Sequence, residues 1–192
     1  VATPQAWEAN PALVLDFYNK RRAQAWEAEP NEAHLALARA EAEFDIHVIT
    51  QNVDALHEKA GSTQVLHLHC ELDKVRSTLD DEYVINKEGK PIFLGDTCPK
   101  GGQLRPHVVW FGEAVPAMDE ALSLVSRADA MIVIGTSLQV YPAAGLVHAL
   151  NPANPGFYID PEAASIEGAS NFKPLKSIAS EGVALALDEL RP

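Results

Sequence analysis

The 192-residue chain has no apolar run approaching the roughly 20 residues that a membrane-spanning helix needs. It also has only two cysteines, Cys70 and Cys98, too few for a disulfide framework. Positive charge is scarce: 15 basic residues stand against 27 acidic ones, for a net charge of −12. That balance opposes non-specific attraction to DNA or to an anionic membrane, so neither is expected as a direct partner. With no secretory segment ahead of Val1, the compartment reads as cytoplasmic. No internal repeat or low-complexity tract is visible.

What is present is an alternation of helical and strand patterns. Pro11 to about Ala28 predicts a helix with Leu13, Phe17 and the stem of Arg21 on one face, and Asn31 caps a second helix running to about Glu43. Phe44 to Ile49 reads as a buried strand. A short helix ending at Gly61 and a strand leading to His69 come next. Between residues 71 and 105 the rhythm breaks into polar turns around short β-like pieces, Tyr83-Val84-Ile85 and Ile92-Phe93-Leu94. It then resumes with a helix from Pro116 to Arg127, a strand from Asp129 to Ile134, a helix from Pro142 to Leu150, a strand from Gly156 to Asp160 and a final helix near Val183–Leu190. The expected fold is α/β, a doubly wound parallel sheet of Rossmann-like type over residues 1–70 and 106–192, with a small module inserted at 71–105.

The chemistry concentrates where the first strand opens into Gln51-Asn52-Val53-Asp54 and the second delivers His69 to the same edge. Ligands of open α/β sheets bind at the carboxyl ends of strands. Amide and carboxylate side chains there complement sugar hydroxyls and amide N–H groups, and an imidazole titrating near neutrality can take a proton from a hydroxyl. The plainer alternatives are capping of the following helix by Asn52 and Asp54 and a structural role for His69. Tyr18 and Arg21, three apart on a helix, would share a face, and a guanidinium with a phenol alongside suits a carboxylate. Gly135-Thr136-Ser137 after a strand suits a phosphate or ribose, although it is also ordinary turn chemistry.

Together with Arg105-Pro106-His107-Val108-Val109-Trp110-Phe111-Gly112-Glu113 and Gly135-Thr136-Ser137-Leu138-Gln139-Val140-Tyr141-Pro142-Ala143-Ala144, these blocks resemble the sirtuins, the NAD-dependent protein lysine deacylases. Phe17-Tyr18-Asn19-Lys20-Arg21-Arg22 resembles the Tyr-x-x-Arg signature of the bacterial and mitochondrial class that removes succinyl and malonyl groups. The resemblance implies NAD as cofactor and acylated lysine side chains of proteins as partners. It implies catalytic roles for His69 and Asn52, and cofactor contacts for Gln51, Asn52, Val53, Asp54, Gly135, Thr136, Ser137, Asp160 and Ala179. It also implies that Tyr18 and Arg21 read an acidic acyl group, while Val109, Phe111, Gly112 and Glu113 line a strip on which a peptide adds as a strand. In the implied reaction the acyl oxygen attacks the nicotinamide ribose, His69 deprotonates a ribose hydroxyl, and nicotinamide, free lysine and O-acyl-ADP-ribose result. A non-catalytic module binding ADP-ribose or acyl-peptide is the alternative.

Three departures from the family pattern stand out. No G-x-G turn occurs, and the family's Gly-Ala-Gly loop and first strand are expected upstream of Val1. Cys70 follows His69, where the family usually has Gly. Sirtuins generally hold a structural zinc with two C-x-x-C pairs, but here those places offer Ser77 and Asp80, then Cys98 with Gly101. A rescue set of His67, Cys70, Asp80 and Cys98 is conceivable, but His67 and Cys70 should point to opposite sheet faces. The expectation is that zinc is absent and that Tyr83, Ile85, Ile92 and Phe93 help to hold the module.

Overall fold

The structure, a computed structural model, describes residues 1–191. In chain order the helices and strands are α1 (Pro4–Ala9), α2 (Pro11–Glu27), α3 (Glu32–Ala40), β1 (Val48–Thr50), α4 (Leu56–Ala60), β2 (Val65–His67), β3 (Cys70–Ser77), β4 (Val84–Asn86), β5 (Leu104–Val108), α5 (Met118–Arg127), β6 (Met131–Ile134), β7 (Gly156–Ile159), β8 (Phe172–Leu175) and α6 (Ala179–Leu190), with a 3₁₀ segment at Ala143–Ala149. They form two compact units. One comprises residues 1–29, 50–56 and 69–115; the other comprises 30–49, 57–68 and the chain from 116 onward.

The second unit carries the parallel sheet, in the order β6-β7-β8. Every residue of β7 is buried, as expected of a parallel strand covered on both faces. Phe157 and Ile159 receive Ala33, Leu37 and Ala40 of α3 and Val183, Ala186 and Leu187 of α6. The α3 stripe is fixed at its start by Asn31, whose side-chain oxygen accepts the N–H groups of Ala33 and His34. β1 and β2 form a separate two-stranded sheet. This is the expected α/β, Rossmann-like arrangement, with one strand, β8, that the sequence pattern did not reveal. Phe172-Lys173-Pro174-Leu175 has no continuous apolar run, because two of its four positions face solvent. The expected Pro142–Leu150 helix is a 3₁₀ segment instead.

In the first unit β3 is the centre of an antiparallel sheet, β4-β3-β5. The unit joins residues 71–105 to α1, α2 and the 50–56 segment, so the polar stretch packs inside a larger body rather than by itself. Helix α2 turns Val14, Tyr18 and Arg22 inward, at i, i+4 and i+8. Leu13, expected on the buried face, is 53% exposed. The physical reason is Arg22, fully buried because its Nε donates to the Leu72 carbonyl at 2.8 Å and its Nη1 to Asn19 Oδ1 at 2.9 Å. Hydrogen bonds to charged groups are the strong ones, and they rotate the helix against the hydrophobic count. Asn19 also clasps Ile92 through both backbone groups. Ile92 and Tyr83 join Leu15, Val75, Cys98 and Leu104 in a cluster, whereas Phe93, at 61% exposure, and Ile85 stay outside it. Ile92-Phe93-Leu94 is irregular rather than β-like.

Gly156 opens β7 directly over Phe172: an added methyl would lie 2.5 Å from that buried ring. Gly156→Ala should therefore lower stability by about 1–3 kcal/mol, the usual cost of overpacking. Urea denaturation measures it, and an unchanged midpoint would mean that the sheet gives way freely at this edge.

Candidate active site

At the end of β1 the chain turns sharply. The Asn52 N–H donates to Thr50 Oγ1 at 3.0 Å, the Val53 carbonyl accepts Leu72 N–H at 2.7 Å, and Asp54 Oδ1 accepts Leu56 N–H at 3.1 Å. The 51–54 segment is thus pinned to β3 on one side and starts α4 on the other. Asp54 caps that helix with a carboxylate oxygen. The Gln51 carbonyl meets His69 Nδ1 at 3.0 Å. Since a carbonyl only accepts, Nδ1 is the nitrogen that donates, and Nε2 is the one left for a ligand. His69 sits in the turn before β3 rather than in the strand, and its own carbonyl accepts Val109 N–H at 3.0 Å. Cys70 follows with φ of +60°, a conformation that suits glycine. Gln51, Asn52, Asp54, His69 and Val109 are thus brought together in the first unit.

The strip beyond Val109 is tied down from inside. Phe111 N–H donates to the Ala2 carbonyl at 3.0 Å, leaving its ring 71% exposed, and Gly112 takes φ of +92°. Glu113 folds back: Oε2 accepts Trp110 N–H at 2.7 Å, Oε1 lies 2.7 Å from Arg105 Nη1, and Arg76 Nη2 is 3.2 Å away. Arg105 stacks on Trp110, with Cζ 3.3 Å from the ring centroid. Burial pushes the Glu113 carboxyl up, but Arg105, the Trp110 N–H and Arg76 outweigh it and hold the group below the usual carboxylate value. Sequence reasoning placed Glu113 on the strip and missed Arg105 and Arg76 as its internal supports. The available signal was one acidic and one basic residue, Arg105 and Glu113, bracketing an otherwise apolar strand end.

Tyr18 and Arg21 have different surroundings. Tyr18 is buried beside Trp110, at a ring-centroid distance of 6.4 Å, and burial raises its phenol pKa, so the hydroxyl remains a neutral donor. Arg21 is exposed, its guanidinium 5.3 Å from the Phe17 ring.

In the second unit Gly135 and Asp160 follow the paired residues Ile134 and Ile159, so both stand at the carboxyl edge of the parallel sheet. Gly135 has φ of +60°, and no heavy atom lies within 4 Å of where a Cβ would sit. Thr136 Oγ1 accepts Leu138 N–H at 3.2 Å, and the Thr136 carbonyl accepts Tyr158 O–H at 2.9 Å. Ser137 continues this turn. Asp160 Oδ1 accepts Glu162 N–H at 2.8 Å, and Ala179 opens α6 with no side-chain cap on the helix's N–H groups. Open backbone, a hydroxyl pair and a carboxylate at one strand edge fit a sugar with its phosphates.

Residues 1–142 match the Sir2 family. The chain belongs to that family. It is 48% identical, over all of its 192 residues and 82% of the relative, to an NAD-dependent protein deacylase of Helicobacter pylori. Among solved structures, a Sir2 homologue in complex with NAD superposes with a TM-score of 0.88 at 36% identity, covering 98% of this chain and 75% of that one. A Sir2 protein bound to acetylated peptide gives 0.80 at 28% identity, covering 96% and 81%. No helix among the described residues is long and apolar enough to cross a membrane.

Glu113→Gln would leave Arg105 largely desolvated without its counter-charge, at a cost of about 3 kcal/mol. Because the folded-state pKa of Glu113 is depressed, its contribution is present above the unfolded value near 4.3 and is lost as pH falls through the folded one. Denaturation of parent and variant should therefore differ at pH 7, and the difference should shrink as pH falls below the unfolded value and vanish below the folded one. A gap that persists at low pH would mean that the loss is one of packing rather than charge.

Proposed function

We propose that this chain is an NAD-dependent protein lysine deacylase that removes acetyl and, beyond that, succinyl and malonyl groups from lysine side chains. The observation that carries the reading is the Nδ1 contact of His69 with the Gln51 carbonyl, which leaves Nε2 as the free base. Membership of the Sir2 family and the deacylase name of the 48%-identical relative support it.

Bound NAD would supply a ribose carbon from which nicotinamide can leave. The chain does the rest by position and proton handling. His69 Nε2 accepts the proton of a ribose hydroxyl, its ring held by the Gln51 carbonyl, so that no reorientation is needed during transfer. Gln51 and Asn52 line the nicotinamide ribose, Val53 adds a further cofactor contact, and an Asp54 oxygen accepts a carboxamide N–H. Gly135, Thr136, Ser137, Asp160 and Ala179 serve the remainder of the cofactor. Val109, Phe111 and Gly112 offer main chain to the acyl-peptide; the N–H groups of Val109 and Phe111 are engaged internally, so the peptide pairs with their carbonyls. Glu113 shapes this strip from beneath.

Acidic-acyl selectivity rests on Tyr18 and Arg21. Tyr18 offers a neutral phenol and Arg21 a guanidinium free to move over Phe17, a donor pair matched to a terminal carboxylate.

His69→Ala should cut nicotinamide release from NAD with an acyl-lysine peptide by about 10²- to 10⁴-fold while thermal melting stays near that of the parent. Activity within about threefold of the parent would remove His69 from the chemistry, and no acyl-dependent nicotinamide release by the parent would sink the deacylase reading itself. Arg21→Met should cost desuccinylation about ten- to a hundredfold, the equivalent of one charge-assisted hydrogen bond, and leave deacetylation nearly intact. Equal losses on both substrates would mean that the residue positions the helix instead of reading the acyl chain.

A further inference from the structure

In the first unit, the turn at 77–80 and the turn at 98–101 close on each other without room for an ion. Ser77 Oγ accepts the N–H groups of Leu79 at 3.0 Å and Asp80 at 3.2 Å, and its hydrogen points to Cys98 Sγ at 3.1 Å. A hydroxyl has one hydrogen to give and two lone pairs to receive, so Ser77 is fully spent. The sulfur is held below its ordinary thiol range by Ser77 first, then by the backbone N–H groups of Gly102 and Lys100. Beside this contact the Asp80 carboxylate is 2.9 Å from Lys100 Nζ, and the fourth position, Gly101, has no side chain.

This donor set does not fit zinc. One thiol, one committed hydroxyl, one lysine-paired carboxylate and one glycine cannot make the four-ligand Cys/His tetrahedron of a structural site. The spacing also argues against it: ligands at about 2.0 and 2.3 Å from a tetrahedral ion lie about 3.5 Å apart, farther than the 3.1 Å between Ser77 Oγ and Cys98 Sγ. Gly102 shows how tightly the turns meet, since a Cβ there would fall 2.4 Å from Ser77 Oγ and 2.9 Å from Leu79 N. His67 is unsuited to rescue the site, because its Nε2 is engaged by Glu58 at 2.7 Å.

We propose that these two turns are joined by a metal-free lock, the Ser77 hydroxyl bonded to the buried Cys98 sulfur beneath the Asp80–Lys100 ion pair, which cross-links the 71–105 segment in place of zinc. The lock connects β3 to the β5 approach, where Ser77 pairs with Leu104, and Cys98 anchors it in the apolar cluster with Val75 and Ile92. The four positions act as one unit of polar satisfaction and core packing.

The full chain, purified from zinc-supplemented medium, is assayed for metal content and melted with and without a strong chelator. Expected are well under one zinc per chain and a midpoint unmoved by the chelator, since a structural zinc would couple tightly to folding. Ser77→Ala, which strands two N–H donors and the sulfur, should lower the midpoint by about 2–8 °C at a loss of one or two hydrogen bonds' worth of stability. Stoichiometric zinc or a chelator-induced drop in the parent would overturn the metal-free lock. An unchanged midpoint for Ser77→Ala would overturn the assignment of the lock to Ser77. If that variant fails to fold, the metal content and chelator response of the parent still decide the proposal.

Discussion

The arrangement of the first unit depends on a charge that has been taken out of water. Arg105 lies under Trp110 and against Glu113, and a guanidinium so placed is tolerable only if its counter-charge and its stacking surface are both present. Satisfying it fixes the carboxylate of Glu113, which in turn receives the Trp110 N–H. The Trp110 ring is thereby held at 2% exposure, where it closes a cluster with Val14, Tyr18, Leu72 and Val108. One ion pair therefore sets the path of residues 109–113, the seat of Tyr18 on α2 and the end of β5. The candidate peptide strip inherits its shape from a charge interaction lying beneath it.

The same logic of fixed main chain places His69. Its ring is oriented by the Gln51 carbonyl, and its backbone accepts from Val109, so the imidazole is linked to both the 51–54 turn and the strip. The cost of bringing these segments together falls on the next residue, Cys70, at φ of +60°. A non-glycine residue in that region stores on the order of 1 kcal/mol, which the surrounding hydrogen bonds must hold in place. Backbone strain thus sits beside an imidazole whose orientation is fixed from two sides.

The legible part of the sequence was the part written in apolar periodicity. The parallel strands β6 and β7, the Asn31-capped helix and the carboxyl-edge placement of Gly135 and Asp160 follow from pattern alone, because β7 is buried on both faces and α3 has a simple apolar stripe. The 51–54 block and His69 were legible as polar groups ending apolar runs. What the pattern did not carry was set by polar burial. Arg22, and not Leu13, faces inward on α2, because two hydrogen bonds to Leu72 and Asn19 outweigh a leucine's preference. β8 escaped notice because half of it faces solvent.

The inward turn of Arg22 has its cause in how the first unit is built. Among the described residues, the second unit has an apolar cluster spanning α3, β7 and α6. The first has two smaller clusters, and between and around them polar side chains act as cross-links: Asn19 to Ile92, Arg22 to Leu72, Asp73 to the Gly89 N–H, Gln103 to Phe93 and Gly95, and Ser77 to Cys98. Each such bond contributes only about 1 kcal/mol net, but each costs more than that if one partner is lost, because the other is left desolvated. In this segment cross-linking is distributed over several hydrogen bonds, made by polar groups that a count of hydrophobic positions passes over.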